Sequence, residues 1–440
     1  MLCLFQDYIA QQHLFSTGEE VLLAVSGGRD SVVMTDLMQQ SGIPFAIAHC
    51  NFHLRGAESD RDQQFVKALA AKRHVPFHTI DFDTLSIAAG QHMGIEEAAR
   101  HLRYDWFQRL CEDHGYTCVA TAHHRDDSVE TLLLNLFRGT GIHGLHGIRP
   151  KSRYGTCTIV RPMLCFSRAD IDRYVAERGL AYVDDSTNAE TLVRRNQLRL
   201  EVLPFLRRYY PSIDTTLQAD IERFAAAEEL YNQNIADLRA QFVTREPSCL
   251  STCNIEFITI HIEQLIQALP DTCGTVLFEL LRPYGFGADT ASAILDGPRR
   301  TGGIYRSPSH EAVVDRGRIV VVPIDRIMPT LVLESKPVSI CNADLKMLVS
   351  ERSILVDADQ LHQPLLLRPW KEGDRFCPFG MKGSRLVSDF LKDSKLNLFE
   401  KQQVLLAVDA DDRVVWVVGL RADNRFRITE ATSNALMIHC

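Results

Sequence analysis

The chain has 440 residues, a formal net charge of −8, 45% hydrophobic and 24% charged residues, and twelve cysteines. That length admits two or three domains with sizeable cores, and the charge excludes a polycation while leaving room for a local basic patch. No run of about 18 apolar residues occurs and the first residues lack a basic segment, so neither a membrane span nor a signal peptide is expected. The cysteines form no Cys-x-x-Cys, and the nearest pair, Cys249 and Cys253, has no histidine cluster beside it. Zinc and redox motifs are therefore unsupported, and free thiols in a reducing cytoplasm are expected.

The apolar run Val21-Leu22-Leu23-Ala24-Val25 reads as a buried parallel strand. Ser26-Gly27-Gly28-Arg29-Asp30-Ser31 follows it. Two glycines allow a tight turn close to a ligand, and Ser31 is expected to cap a helix through Val32, Val33, Met34, Leu37 and Met38. Strand, glycine turn and helix N-terminus together make an anion cradle. No lysine occupies the loop; Asp30 stands there instead, and a carboxylate suits a magnesium ion better than a bare phosphate.

Further strands are expected at Phe45–Cys50, Phe77–Phe82 and Cys118–Thr121, separated by helices. The clearest helix carries Ile95, Ala98, Leu102, Trp106 and Leu110 at helical spacing. Such alternation implies βαβ units in a twisted parallel sheet, with ligands beyond the strands' carboxyl ends. The Ser26 loop, His49-Cys50-Asn51 and Thr121-Ala122-His123-His124 all follow strands, so one crevice is expected to collect them.

Arg100 and Arg103 lie on one side of their helix, where they meet phosphates or pair with Glu96 and Glu97. Asp127 and Glu130, three apart in a helix start, either hold magnesium or a substrate amine, or simply stabilise the helix dipole. Gly139 to Gly144 reads as a connector or a lid, and Ser167 as the cap of a helix carrying Ile171, Tyr174 and Val175. Asp184-Asp185-Ser186-Thr187-Asn188 reads as a turn and helix start leading to Arg195-Asn196-x-x-Arg199. Between Arg138 and Arg199 eleven basic side chains face six acidic ones, a solvated face or a polyanion surface. A first boundary is expected where this helix runs towards Pro204 and Pro211. A long helix with Leu217, Ile221, Phe224 and Leu230 follows, then a mixed region to about Ile327, then short β segments from Leu331 to Cys440.

The loop Ser-Gly-Gly-x-Asp-Ser after a first strand resembles that of the N-type ATP pyrophosphatases, which cleave ATP between the α and β phosphates. Taken in order, Ser26 to Ser31, Glu97-Ala98-Ala99-Arg100-x-x-Arg103-Tyr104, Ala122-His123-His124-x-Asp126-Asp127-x-x-Glu130-Thr131 and Arg195-Asn196-x-x-Arg199 resemble the tRNA(Ile)-lysidine synthetases. Arg368-Pro369-Trp370-Lys371-x-Gly373-Asp374-Arg375 and Lys382-Gly383 resemble that family's distal RNA-binding domain.

The resemblance implies an α/β fold: a Rossmann-like, adenine nucleotide alpha hydrolase-like parallel-sheet catalytic domain over residues 1–210, a mixed helical tRNA-binding or linker domain over 211–330, and a smaller α+β tRNA-binding domain over 331–440. It implies lysine ligation to C2 of the wobble cytidine of the CAU-anticodon tRNA(Ile), through a C2-adenylate made from ATP. Residues carried over are Ser26, Gly27, Gly28, Asp30 and Ser31 for ATP, with Asp30 also at magnesium, and Asp127 and Glu130 for lysine. Asp30, Asp127, Arg103 and Arg195 are the implied catalytic set; Arg100, Arg199, Arg368, Lys371, Arg375 and Lys382 are implied for tRNA. The partners implied are that tRNA and L-lysine, with no membrane; a homodimer is admitted. A tRNA thiolase, a small-molecule amidating ATP pyrophosphatase and a non-catalytic nucleotide-binding module are the alternatives. The first lacks its cysteine pair here, the second its glutaminase or dimerisation segment, and the third has no use for Asp127 and Glu130 beside a complete loop.

Overall fold

Short apolar runs pair side by side in the N-terminal half and set the rest of that half around them. The computed structural model describes residues 1–16, 18–54, 56–183, 194–248, 250, 256–297, 302–326, 331–338, 350 and 352–440; the turn expected at Asp184 to Asn188 lies outside them. The chain divides into two compact units, Met1–Leu230 and Tyr231–Cys440. No helix among the described residues is long and apolar enough to cross a membrane.

In the first unit the elements follow as α1 (Leu2–Gln11), β1 (Val21–Ala24), α2 (Arg29–Gln40), β2 (Phe45–Asn51), α3 (Ala57–Arg73), β3 (Phe77–Asp81), α4 (Thr84–Gly90), α5 (Ile95–His114), β4 (Cys118–Ala120), α6 (Arg125–Arg138), β5 (Lys151–Tyr154), β6 (Cys157–Val160) and α7 (Arg168–Arg178). The sheet order is β3-β2-β1-β4-β6-β5. All neighbours run parallel except β5, which is antiparallel to β6. Alternation along β1 sorts its side chains to two cores. Val21 and Leu23 pack with Val33, Met34 and Leu37 of α2, whereas Leu22 packs with Phe107 and Leu110 of α5. The parallel α/β architecture expected from sequence is present. The β5–β6 hairpin was not foreseen, because Lys151-Ser152-Arg153-Tyr154 is an edge strand without an apolar stripe.

The order reverses between β1 and β4. There the chain leaves adjacent strands in opposite directions, and a crevice opens beyond their carboxyl ends. β1, β4 and β6 are neighbours, so the first turns of α2, α6 and α7 are brought together.

Three local expectations are corrected. Gly28, not Ser31, is the N-cap of α2; the Ser31 hydroxyl donates to the Gly28 carbonyl at 2.8 Å from inside the first turn. Pro204 does not end the helical run. Arg194–Gln197 (α8) continues through a π-helical turn, Leu198–Val202, into α9 (Leu203–Tyr209). A proline at 204 has no N–H for the Leu200 carbonyl, and the widened turn accommodates that loss. On α10 (Ile213–Phe242) Ile221 is buried but Leu230 is exposed, because the inward stripe runs on to Glu228, itself buried. Glu228 accepts from His143 at 2.7 Å and pairs with Arg149. The glycine-rich connector is thereby pinned to α10. Ser167 caps α7 as expected, with Ile171 and Tyr174 buried.

The second unit contains an antiparallel sheet ordered Val243–Pro247, Glu256–Ile260, Arg318–Pro323, His310–Asp315, Ile304–Arg306. Helices Ile262–Ala268, Cys273–Leu281 and Ala288–Asp296 pack on it through Leu265, Leu277 and Ile294. The C-terminal part carries Leu366–Pro369, Leu405–Val408, Val414–Val417 and Arg421–Ala422 in one sheet, with short helices Val387–Asp393 and Leu398–Gln403. Those two helices were not read from the sequence.

Asp36 ties α2 to α3 and α7. It is buried and accepts from Arg73 at 2.7 Å, Tyr174 at 2.9 Å and Gln40 at 2.6 Å. Burial raises its pKa, but the hydrogen bonds from Arg73, Tyr174 and Gln40 and the Arg73 charge lower it by more, so it is held below the ordinary carboxylate value. Its contribution to stability is therefore present above the unfolded pKa and lost as pH falls through the depressed folded one. Asp36→Ala leaves Arg73 and Tyr174 without their acceptor and should cost about 3 kcal/mol at pH 7. Urea unfolding should show that difference shrinking in acid.

Candidate active site

The Ser26 loop owes its shape to Gly27, whose φ is +94° and where a Cβ would meet Val66 and Phe65 at 3.3 and 3.4 Å. Gly28 has an ordinary φ of −68°, so its use lies in leaving the helix end open rather than in conformation. The first-turn N–H groups of α2 have no intrahelical acceptor and point beyond β1. The hydroxyls of Ser26 and Ser31 lie 3.4 Å apart in the same turn.

Asp30 stands in that first turn, and both its oxygens accept from Arg168, Oδ1 from Nη1 at 2.6 Å and Oδ2 from Nη2 at 3.1 Å. Arg168 also donates from Nη2 to His124 Nε2 at 3.0 Å, and its backbone N–H donates to Asp126 at 2.8 Å. His124 is buried and packed among carboxylates: Asp127 at 3.4 Å, Asp126 at 3.7 Å and Asp30 at 3.9 Å. Arg168 was missed in the sequence as a site residue. Its only local signal is its place one residue after a helix cap.

Asp127 and Glu130 do share one face of α6, yet they have different surroundings. The two oxygens of Glu130 accept from Arg195 Nε and Arg199 Nε, each at 2.7 Å, and Glu130 is 1% exposed. Asp127 Oδ1 meets the same two guanidinium groups at 3.2 and 3.3 Å, while Oδ2 accepts the His124 backbone N–H at 2.9 Å. Burial raises the Asp127 pKa, but His124 and Arg195 lower it by more, and it is held as a carboxylate.

Two cavities meet here. One, of about 580 Å³, lies between β1, β2 and α5 and has Val25, His49, Cys50, Phe52, Arg103 and Phe107 among its walls. The other, of about 500 Å³, is polar and is walled by Arg29, Arg168, Arg195, Asn196 and Arg199. Ser26, Gly28, Asp30, His123 and Asp127 line both. Glu130 lines neither. Arg100 is exposed and stacks over Tyr104 at 5.2 Å, and Arg103 lies over the Phe52 ring at 5.1 Å.

For a magnesium ion the first unit offers hard oxygen donors, the Asp30 carboxylate and the Ser26 and Ser31 hydroxyls. One carboxylate with substrate phosphates is the donor set this ion ordinarily takes, so the residues fit. In the second unit His362, Asp409 and Asp411 come within reach of one another, but Arg413 already donates to Asp409 at 2.8 Å.

The C-terminal candidates are distributed unequally. Arg368 donates to both oxygens of Asp374 at 2.8 Å and to Asp412 at 2.7 Å. Lys371 also pairs with Asp412 at 2.7 Å, and Arg375 donates to Ser384 at 3.1 Å. Arg385 pairs with Asp393. Lys382 is exposed on a turn beside Phe379 and Met381, which are themselves more than half exposed.

Residues 4–206 match the family described as a PP-loop domain, 254–324 a TilS substrate binding domain and 365–439 a TilS substrate C-terminal domain. The tRNA(Ile)-lysidine synthase of Parabacteroides distasonis is 39% identical over 98% of each chain. That of Bacteroides thetaiotaomicron is 36% identical over 98% of this chain and 97% of its own. The U34-tRNA thiolase NcsA from Methanococcus maripaludis aligns in structure at 15% identity over 50% of this chain and 76% of that one, with a TM-score of 0.42, too loose a likeness to carry an argument.

His123 lines both cavities with its Nδ1 2.9 Å from Thr121 Oγ1. Burial first, then the charges of Arg161, Arg195 and Arg103, push its pKa down to about 4 against the pull of Asp127. The ring is therefore neutral at pH 6, where an ordinary histidine is mostly protonated. NMR of nitrogen-labelled histidine should show the His123 imidazole, assigned by its loss in His123→Asn, still neutral at about pH 5. Stability linked to this group is present above the unfolded value and lost as pH falls towards 4.

Proposed function

The chain belongs to the tRNA(Ile)-lysidine synthase family, and on that premise we propose how its own residues carry out ATP-dependent formation of lysidine at the wobble base of tRNA(Ile). The observation that carries the reading is the shared wall. A phosphate seated against Ser26, Gly28 and Asp30 is reachable from both cavities, as a reaction joining a nucleotide to a second large substrate requires.

The adenosine takes the larger, more apolar cavity, with Val25, Phe52 and Phe107 about it. The triphosphate runs over the Ser26 loop to the α2 N-terminus. The wobble cytidine of a CAU anticodon leaves its stack and enters the arginine-walled cavity, where Arg195 and Asn196 meet its polar edge. Its C2 oxygen attacks the α phosphorus, and the bond to the bridging oxygen breaks to release pyrophosphate. The ε-amine of lysine then attacks C2, and the oxygen departs with AMP. Asp127 faces both cavities as a carboxylate, so it holds the ammonium and takes up its proton. Glu130 acts one step back, holding Arg195 and Arg199 in place. Arg103 faces the nucleotide's phosphates. Magnesium, when bound with ATP, neutralises charge on the pyrophosphate; Asp30, Ser26 and Ser31 would hold it. Such work on tRNA belongs in the cytoplasm.

A thiolase reading finds little support in the crevice. The cysteine on its wall, Cys50, has its thiol pushed up to about 12 by burial, against the pull of Arg103. It stays protonated at pH 7 and is a poor nucleophile.

Incubation with ATP, labelled lysine and CAU-anticodon tRNA(Ile) should yield labelled lysidine on nucleoside analysis, with one AMP and one pyrophosphate for each; sulfur incorporation or no product would overturn the reading. Asp127→Asn should raise the KM for lysine about tenfold or more, one charge-assisted contact, and leave ATP affinity unchanged. In the C-terminal region, Lys382→Ala should flatten the salt dependence of tRNA binding by about 0.7–0.9 log units per log unit of salt. Arg368→Ala should chiefly lower the melting temperature, since its guanidinium is already committed to Asp374 and Asp412. Filter binding at several salt concentrations and a thermal melt separate the two.

A further inference from the structure

Asp30 and Arg168 present a conflict if Asp30 is to hold a cation. Each carboxylate oxygen already accepts a guanidinium N–H, at 2.6 and 3.1 Å. A fork of two charge-assisted hydrogen bonds neutralises Asp30. A divalent ion at the same carboxylate would sit within a few ångströms of a fixed positive charge, and like charges there repel strongly in a partly buried site. The two cations compete for the carboxylate in this arrangement.

Arg168 has somewhere else to go. Its side chain is about one third exposed (32%) and lines the polar cavity. Its backbone, by contrast, is fixed: the Arg168 N–H donates to Asp126, and Ser167 caps the helix it begins. The anchor stays and the guanidinium alone can swing. Nη2 also lies 3.0 Å from His124 Nε2, a contact that holds the group near the loop. A phosphate arriving over Ser26 and Gly28 comes within the reach of such a side chain.

We propose that Arg168 is a positioning residue that serves as the counter-ion of Asp30 in the empty enzyme and is exchanged for the divalent cation when the cation–ATP complex enters, its guanidinium passing from the carboxylate to the phosphates. The exchange makes cation and ATP binding mutually dependent. Metal alone must displace an arginine with nothing to receive it, whereas metal with ATP offers the arginine a new anion. The proposal rests on reading Asp30 as the metal ligand.

The test uses the full-length protein with Mn²⁺ as the probe, titrated by electron paramagnetic resonance with and without α,β-methylene-ATP. In Arg168→Gln, Mn²⁺ alone should bind about tenfold or more tighter than in the wild type, while affinity for the nucleotide analogue falls by about the same factor, each the equivalent of one ionic contact. A general loosening of the fold would weaken both, so opposite directions are the signature. Arg168→Lys keeps the charge without the fork and should fall between the two, and it carries the test if the glutamine variant melts early. Unchanged or weaker Mn²⁺ binding in both variants overturns the exchange. Asp30→Asn separates the premise: Mn²⁺ binding that Asp30→Asn leaves intact removes Asp30 as the ligand, whereas binding lost with Asp30 but indifferent to Arg168 removes only the counter-ion role.

Discussion

Glu130 is the constraint on which the crevice depends. It is buried at the start of α6, and its two oxygens take one arginine each from a helical segment 65 and 69 positions further along the chain. A carboxylate so placed without partners would be costly, and so would two guanidinium groups drawn out of water. Each is stable only because the other is present. The fork therefore fixes the helical run from Arg194 against α6. Leu198 and Leu203 of that run pack on Val129, Leu132 and Leu133 behind it. Without this closure the polar cavity would lose the wall formed by Arg195, Asn196 and Arg199.

The same logic extends through the whole site. Asp30, Asp126, Asp127 and Glu130 stand among Arg168, Arg195, Arg199 and Arg207, and the acids and bases interleave rather than segregate. An interleaved site is nearly neutral when empty. Part of it is easily repartnered: Arg195 and Arg199, if an entering ammonium took Asp127, would still be held by Glu130. A site of one sign would hold one substrate tightly and repel the other. On the proposed reading, a polyphosphate, a polyanionic RNA and a cationic amine share one crevice, and the mixed arrangement suits all three.

What the sequence revealed and what it did not divide along sequence distance. The Ser26 loop, the α6 start and the cap at Ser167 were legible, because a strand, a turn and a helix start are written in consecutive residues. The parallel sheet was legible for the same reason, strand by strand. The π-helical turn before Pro204 was not, since a proline at that place reads as a stop unless the neighbouring packing is known. The roles within the Asp127/Glu130 pair were also hidden. Spacing of three puts both on one face, but only the arrival of Arg195 and Arg199 tells which of them faces the cavity. Arg168 lies 138 positions from Asp30, and nothing near either residue announces the other. In the C-terminal region charge density was visible while charge neutralisation was not; Asp374 and Asp412, silent in a count of cations, take up Arg368 and Lys371.

With the nucleotide and the cytidine in the two cavities as proposed, the reaction gives a reason for those cavities to meet rather than lie apart. The cytidine is first a nucleophile through its C2 oxygen and then an electrophile at C2, and between these steps it stays where it is. Pyrophosphate must leave phosphorus and lysine must arrive at C2, two atoms joined through a single oxygen. Distinct sites for the two half-reactions would require moving an adenylated base through water, where a good leaving group is lost to hydrolysis. A common wall of Ser26, Gly28, Asp30, His123 and Asp127 removes that journey. On the proposed role of Asp127, a neutral His123 at the junction has a use: a cation there would compete with the lysine ammonium, and burial disfavours the charged ring.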